Sequence, residues 1–134
     1  MILSSLGKYR DAGLLLMRIV LGAMFIMHGW PKVMGGPEKW AGLGGAMGNL
    51  GVTMAPTFWG FMAAISEFGG GICLVLGFAF RPACVMMGIT MAVALTMHLK
   101  GGDGIEKASH AIEACGVFLG LLFLGPGKYS IDKK

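Results

Sequence analysis

Four long apolar segments of the chain each contain a side chain that can exchange a proton. In chain order these side chains are His28, Glu67, His98 and Glu113. Imidazole and carboxyl groups are the usual general acids and bases of enzymes. A charge near the centre of a bilayer costs about 2.5–3.5 kcal/mol on insertion scales, so Glu67 is expected to be paired, protonated or hydrated. We interpret these four residues as the candidate catalytic groups.

Basic side chains lie next to these groups. Lys32 and Lys100 follow the first and third apolar segments, and His110 lies one helical turn before Glu113. A basic rim above groups that transfer protons suits an anionic substrate. We therefore predict that Lys32, Lys100 and His110 bind substrate.

Arg18 places a permanent charge inside the first apolar segment. Two arrangements remain open for it. Its side chain either extends to the lipid phosphates or forms a buried pair with Glu67 through helix tilt and side-chain reach. In either case one face of this segment meets a polar interior, and we include Arg18 among the predicted substrate-binding residues.

The segments that position these groups are long enough to cross a membrane. The chain has 134 residues, of which 55% are hydrophobic and 13% charged, and its mean hydropathy is +0.72. Apolar runs at about 12–28, 57–79, 82–100 and 107–124 are each roughly the length that spans a bilayer core of ~30 Å. We predict an all-α fold, a single domain over residues 1–134 that forms a transmembrane four-helix bundle.

Counting along the spans predicts the depth of each polar group. With a rise of 1.5 Å per residue from the cytoplasmic boundary, His28 and His98 lie roughly 24 Å up, Glu113 roughly 21 Å and Glu67 roughly 18 Å. All four spans thus contribute to one polar belt in the outer half of the bilayer. The functional hypothesis depends on this convergence.

The connection between the first two spans is long and contains a helical pattern. Trp40, Leu43, Met47 and Leu50 recur at offsets of three, seven and ten residues, which indicates one apolar helical face. We predict a short helix in the outer membrane interface that could cover a site opening outward.

The distribution of Lys and Arg predicts the orientation in the membrane. One side carries six basic residues, and the other carries Lys32, Lys39, Lys100 and Lys107. The six are Lys8, Arg10, Arg81, Lys128, Lys133 and Lys134. Because the more basic side faces the cytoplasm, both termini are predicted to be cytoplasmic. The net charge of +4 then reflects topology and contact with anionic lipid, and we predict no nucleic-acid partner.

Several kinds of chemistry lack their sequence signals. Cys73, Cys84 and Cys115 lie inside spans without a CxxC pair, so we interpret them as core residues rather than redox thiols. No haem, flavin or iron–sulfur motif occurs. Two His and two Glu at one level could hold iron, manganese or zinc, but Glu-x-x-His is absent, and we predict no metal site.

Four stretches of the sequence resemble the DoxX family of small four-helix membrane proteins. They are LLLMRIVLGAMFIMHGWPKV, SEFGGGICLVLGFAFRP, MAVALTMHLKGG and GPGKYSID. The resemblance implies a bacterial or archaeal inner-membrane protein. Some members of that family form part of a thiosulfate:quinone oxidoreductase, and others join membrane complexes that handle oxidative stress. The matching motif positions are Arg18, His28, Lys32, Glu67, Arg81, His98 and Glu113.

The leading hypothesis is a membrane subunit of a quinone-linked oxidoreductase, with quinone as cofactor and thiosulfate or another small sulfur species as substrate. The sequence encodes no redox centre of its own. A partner must therefore supply one, electrons must pass directly from substrate to quinone, or the chain must support another membrane or periplasmic subunit that carries out the reaction. Two alternatives stay open. One is a non-enzymatic scaffold or assembly factor, and the other is a small-molecule or ion carrier. A carrier with four spans is expected to form a homo-oligomer in the bilayer through the GxxxG pair Gly116 and Gly120.

Overall fold

The computed structural model describes residues 1–133 and is all-α, with no strand in that range. The α-helices are α1 (Arg10–Met34), α2 (Pro37–Gly44), α3 (Pro56–Leu76), α4 (Phe80–Lys100) and α5 (Gly104–Leu124). Two 3-10 segments, Ser4–Tyr9 and Gly45–Leu50, precede α1 and follow α2. Lys134, one of the six basic residues in the orientation argument, lies outside the described residues.

Four of these helices are long and apolar enough to cross a membrane, which confirms the predicted four-helix bundle. They are α1 with its 3-10 extension, α3, α4 and α5. Both ends of the described chain lie at one end of the bundle, where Asp11 accepts a hydrogen bond from the backbone of Lys128. We call this the tail end, and the opposite end, where α1 passes into α2, the α2 end.

The first spanning helix is longer than predicted. It continues past His28 and through Pro31 to Met34. Proline removes one helical hydrogen bond, but membrane helices tolerate this where neighbouring groups satisfy the freed carbonyl. Because the helix continues, Lys32 lies one turn beyond His28 on nearly the same face.

Close packing of α1 on α3 depends on glycine. A Cβ atom on Gly22 would lie 2.6 Å from the carbonyl oxygen of Gly71, and one on Gly29 would lie 2.5 Å from the backbone nitrogen of Phe68. The helices can approach this closely only without side chains at these positions. Gly116 and Gly120, the GxxxG pair noted in the sequence, instead face open space.

The predicted interfacial helix is present but short. It ends at Gly44, and the chain continues as a 3-10 segment, so Trp40 and Leu50 do not share one continuous α-helix. Its glycine-rich sequence favours this early end. A Cβ on Gly44 would collide with the carbonyl of Pro56, which shows that α2 lies directly against the start of α3.

Arg18 binds backbone carbonyl groups at the tail end, which answers the question left open by its sequence position. It is 1% exposed and donates to Leu74 O and Val75 O at the end of α3, and to Pro126 O and Tyr129 O after α5, at 2.8–3.0 Å. It therefore neither extends to lipid phosphates nor pairs with Glu67. Its partners are two carbonyls in the last turn of α3 and two in the segment after α5.

The C-terminal segment after α5 is part of this folded end rather than a free basic tail. The Asp132 carboxylate accepts hydrogen bonds from the backbone nitrogens of Ala79 and Phe80 at the start of α4, at 3.1 and 2.8 Å. Backbone bonds also join Ile131 to Leu76 and Asp132 to Gly77. The GPGKYSID sequence thus closes the bundle at its tail end.

Candidate functional site

A cavity of about 320 Å³ opens within the bundle near the α2 end. Helices α1, α3, α4 and α5 and the α2 region all contribute to its wall. Six ionisable side chains line it: His28, Lys32, Glu67, His98, Lys107 and His110. Phe25 and Met91 are among the apolar residues of the same wall. The structure thus brings together five of the eight residues predicted as site residues.

Glu67 forms an ion pair with Lys32 across α1 and α3. The distance from Lys32 Nζ to Glu67 Oε2 is 2.7 Å, and Glu67 is 5% exposed. The pairing satisfies a carboxylate that would otherwise be costly to bury in an apolar span. Trp40 in α2 donates to the carbonyl of Lys32 at 2.9 Å, so α2 contacts the same turn of α1.

Two histidines lie where α1 faces α5. The ring centroids of His28 and His110 are 6.4 Å apart, and both rings lie about the same distance from the ring of Phe25. Phe25 also packs edge-on against Phe118, at 5.2 Å. Aromatic side chains therefore bridge α1 and α5, and both imidazoles line the cavity at this contact.

The third histidine is oriented by a neighbouring carboxylate. His98 Nδ1 lies 2.9 Å from Asp103 Oδ2, in the turn between α4 and α5. Such a contact fixes the ring and leaves Nε2 as the remaining hydrogen-bonding atom of His98. Three imidazoles from α1, α4 and α5 therefore border one cavity, as donors or acceptors for a ligand.

Three predicted site residues do not line the cavity. Arg18 lies at the tail end, bound to carbonyl groups. Lys100 donates to the carbonyl of Asn49 and ties the end of α4 to the 3-10 segment. Glu113 is exposed on α5. Counting residues along a helix gives depth, but side-chain direction around the axis depends on helix packing.

Lys107 lines the cavity, although the sequence argument used it only as a loop charge. The signal that could have identified it is its spacing. It lies three residues before His110, so the two side chains share a face of α5. In the part of the chain that the structure describes, no group of three or more His, Cys, Asp or Glu side chains is close enough to hold a metal ion.

Four apolar spanning helices around a polar, basic cavity define a small polytopic membrane protein with an internal ligand-sized site. The chain belongs to the DoxX family, whose model matches residues 13–99.

Related proteins cover nearly the whole chain. It is 33% identical over 129 residues to the Escherichia coli (strain K12) protein named "Inner membrane protein YqjF", covering 94% of each chain. It is 32% identical over 136 residues to "Inner membrane protein YphA" of the same organism, covering 96% of this chain and 94% of the relative.

A more distant relative has a name that includes a reaction class. The chain is 29% identical over 96 residues to the Bacillus subtilis (strain 168) protein named "Putative oxidoreductase CatD", covering 71% of this chain and 66% of that one. No solved structure matches the chain.

Proposed function

We propose that this chain is an inner-membrane subunit of an oxidoreductase and that its cavity binds a quinone as redox substrate. The observation that carries the proposal is the cavity itself, where three imidazoles, the Lys32–Glu67 pair and Lys107 meet apolar walls. The oxidoreductase named among the relatives supports the same reaction class.

The residues present fit a quinone ring. The volume of about 320 Å³ is at the lower end of the roughly 300–1,000 Å³ typical of small-molecule sites. Phe25 and Met91 supply apolar surface for a flat ring. His28, His98 and His110 can donate hydrogen bonds to carbonyl oxygens at different points of the rim.

The protein groups act as proton carriers and positioning groups. Reduction of a quinone to a quinol consumes two electrons and two protons. Imidazole side chains are common general acids and bases in enzymes, so His28, His98 and His110 are suited to deliver the protons. The electrons come from a reduced substrate or from a partner subunit.

We also propose that the cavity opens towards the periplasm. With both termini in the cytoplasm, the α2 end and its cavity lie in the periplasmic half of the bilayer. A periplasmic donor would then reach the cavity from the side on which Lys32 and Lys107 are found. Anionic sulfur species such as thiosulfate are candidate donors because these groups are cationic.

Calorimetric titration of the purified protein in nanodiscs with a short-chain quinone tests the proposal. We expect saturable binding, and we expect His28→Leu and His110→Leu each to weaken it by roughly twofold to tenfold, the value of one hydrogen bond. Glu113→Gln is the matched control because Glu113 lies on α5 outside the cavity. The affinity of this variant for the quinone should match that of the wild type.

Absence of saturable binding to the wild type would overturn the proposal. In that case, co-purification of one partner protein in fixed ratio would favour the scaffold alternative. Equal affinity in the wild type and both histidine variants would remove these imidazoles from the site. Quinol formation with candidate sulfur donors, compared between wild type and Glu67→Gln, then tests the redox step.

A further inference from the structure

A second cavity, of about 270 Å³, adjoins the first. It lies between α3 and α4, under the end of α2 and the 3-10 segment. Four residues line both cavities: Leu43, Ala63, Thr90 and Val93. The two spaces are therefore neighbours across a shared wall of small and apolar side chains.

The second cavity differs from the first in chemistry. No charged side chain lines it, and most of its wall is apolar, with Met62, Met86 and Ile89 among its residues. Ser66, 5% exposed, contributes a hydroxyl group. Charged side chains thus line only the first cavity, whereas the polar groups of the second are the hydroxyls of Ser66 and Thr90 and the indole N–H of Trp59.

On α4 the second cavity extends further from the α2 end than the first does, whereas on α3 it begins at Trp59, nearer that end than Ala63 and Glu67 of the first cavity. Along α4 it runs from Val93 to Met86, roughly 10 Å at 1.5 Å per residue, in the direction away from the α2 end. Ile89 on this wall is 58% exposed at the bundle surface. A chain lying here could therefore continue past Ile89 into the lipid.

We propose that the second cavity is the subsite for the apolar chain of a lipid quinone whose ring lies in the first cavity. This inference rests on the proposed function and adds the substrate class, an isoprenoid or alkyl quinone. The second cavity adjoins the first, is lined by no charged side chain and reaches the exposed Ile89, so the chain of a quinone whose ring lies in the first cavity has an apolar path towards the lipid.

The expected gain in quinone affinity from this subsite is modest. A chain that leaves lipid for an apolar cavity gains packing contacts but no transfer energy from water. We expect a chain-bearing quinone to bind about tenfold more tightly than the same ring without a chain, after correction for partition into empty nanodiscs.

A matched pair of substitutions tests the subsite. Ile89→Trp fills the mouth of the second cavity, and Leu119→Trp makes the same kind of change on α5 at a residue that is also 58% exposed and lines neither cavity. Ser66→Leu is a second filling variant, from α3. Each variant is titrated by calorimetry in nanodiscs with a decyl quinone and with its chain-free ring.

The inference is supported if Ile89→Trp and Ser66→Leu lose the gain in affinity that the decyl chain provides, while their affinity for the chain-free ring is unchanged. Leu119→Trp should then behave like the wild type with both ligands. Ring binding with the same gain in all variants overturns the inference and leaves the proposed function standing. No ring binding to the wild type overturns the proposed function itself.

Native mass spectrometry tests whether a membrane lipid occupies the second cavity instead. A phospholipid retained by the wild type, lost in Ile89→Trp and not displaced by decyl quinone would identify a membrane lipid as the occupant and overturn the inference.

Discussion

Lys32 and Glu67 form an ion pair that joins α1 to α3 at the wall of the main cavity, with 2.7 Å between Nζ and Oε2. The carboxylate is nearly buried, whereas the lysine side chain is partly exposed. One contact thus both joins two helices and compensates the charge of a buried carboxylate.

Removing one member of this pair should cost more than removing both. Lys32→Met leaves a buried carboxylate unpaired, and we expect a loss of about 1–3 kcal/mol in the free energy of unfolding. Replacing both residues, Lys32→Met with Glu67→Leu, should recover most of that loss, because apolar pairs of similar volume often substitute well. Denaturant unfolding in mixed micelles measures Lys32→Met, Glu67→Leu and the double variant, with Lys39→Met on the exposed side of α2 as control. A double variant that loses the sum of the single losses would contradict the pairing.

Arg18 should tolerate no replacement, including lysine. The guanidinium donates to four carbonyl groups that belong to the end of α3 and the segment after α5. A lysine ammonium cannot reach these carbonyls in the same fork geometry. We expect Arg18→Lys to lose more than about 3 kcal/mol, since each hydrogen bond to a charged group contributes about 1.5–3 kcal/mol.

Thermal unfolding measures the loss in Arg18→Lys, and limited proteolysis after Lys128 reports release of the C-terminal segment. The control is Arg81→Lys, because exposed Arg81 donates within residues 1–133 only to Leu122 O. Equal stability of the two variants would show that the carbonyl network contributes little.

The glycines of the bundle should divide into two classes when a methyl group is added. A Cβ on Gly22 would meet the backbone of Gly71, so Gly22→Ala should destabilise the protein by about 1–3 kcal/mol. Gly120 has open space, and Gly120→Ala should be neutral or stabilising by up to about 1 kcal/mol through helix propensity. Melting temperatures of both variants in the same detergent decide the point. Clear destabilisation by Gly120→Ala would show that this face packs against another chain.

Reporter fusions test the proposed orientation. A reporter that is active only in the cytoplasm should be active when fused after Asp132, and inactive when inserted at Gly102 in the turn between α4 and α5. The reason is the excess of basic residues at the tail end. The opposite pattern would place the cavity in the cytoplasmic half of the bilayer, and a periplasmic donor could then no longer reach it.

Which groups meet in the cavity depended on side-chain direction. Depth counting placed His28, His98 and Glu113 near one level, yet only the two histidines line the cavity, and Lys107 joins them. A shift of one residue turns a helical side chain by about 100°, an angle that the packing of α5 against its neighbours determines. The need of Glu67 for a partner was predictable, but the choice of Lys32 over Arg18 was not.

The membrane class and the four spanning helices followed from the sequence alone, because length and hydropathy along each segment are local properties, and the family followed from short motifs. The sequence also determined that an acid in the second span required compensation. The packed structure was needed to show that Arg18 binds the carbonyls of two distant segments, and that Gly22 rather than Gly116 or Gly120 lies at a helix contact. These contacts join residues far apart in the chain. They depend on how each helix is rotated about its axis, and local sequence patterns do not determine that rotation.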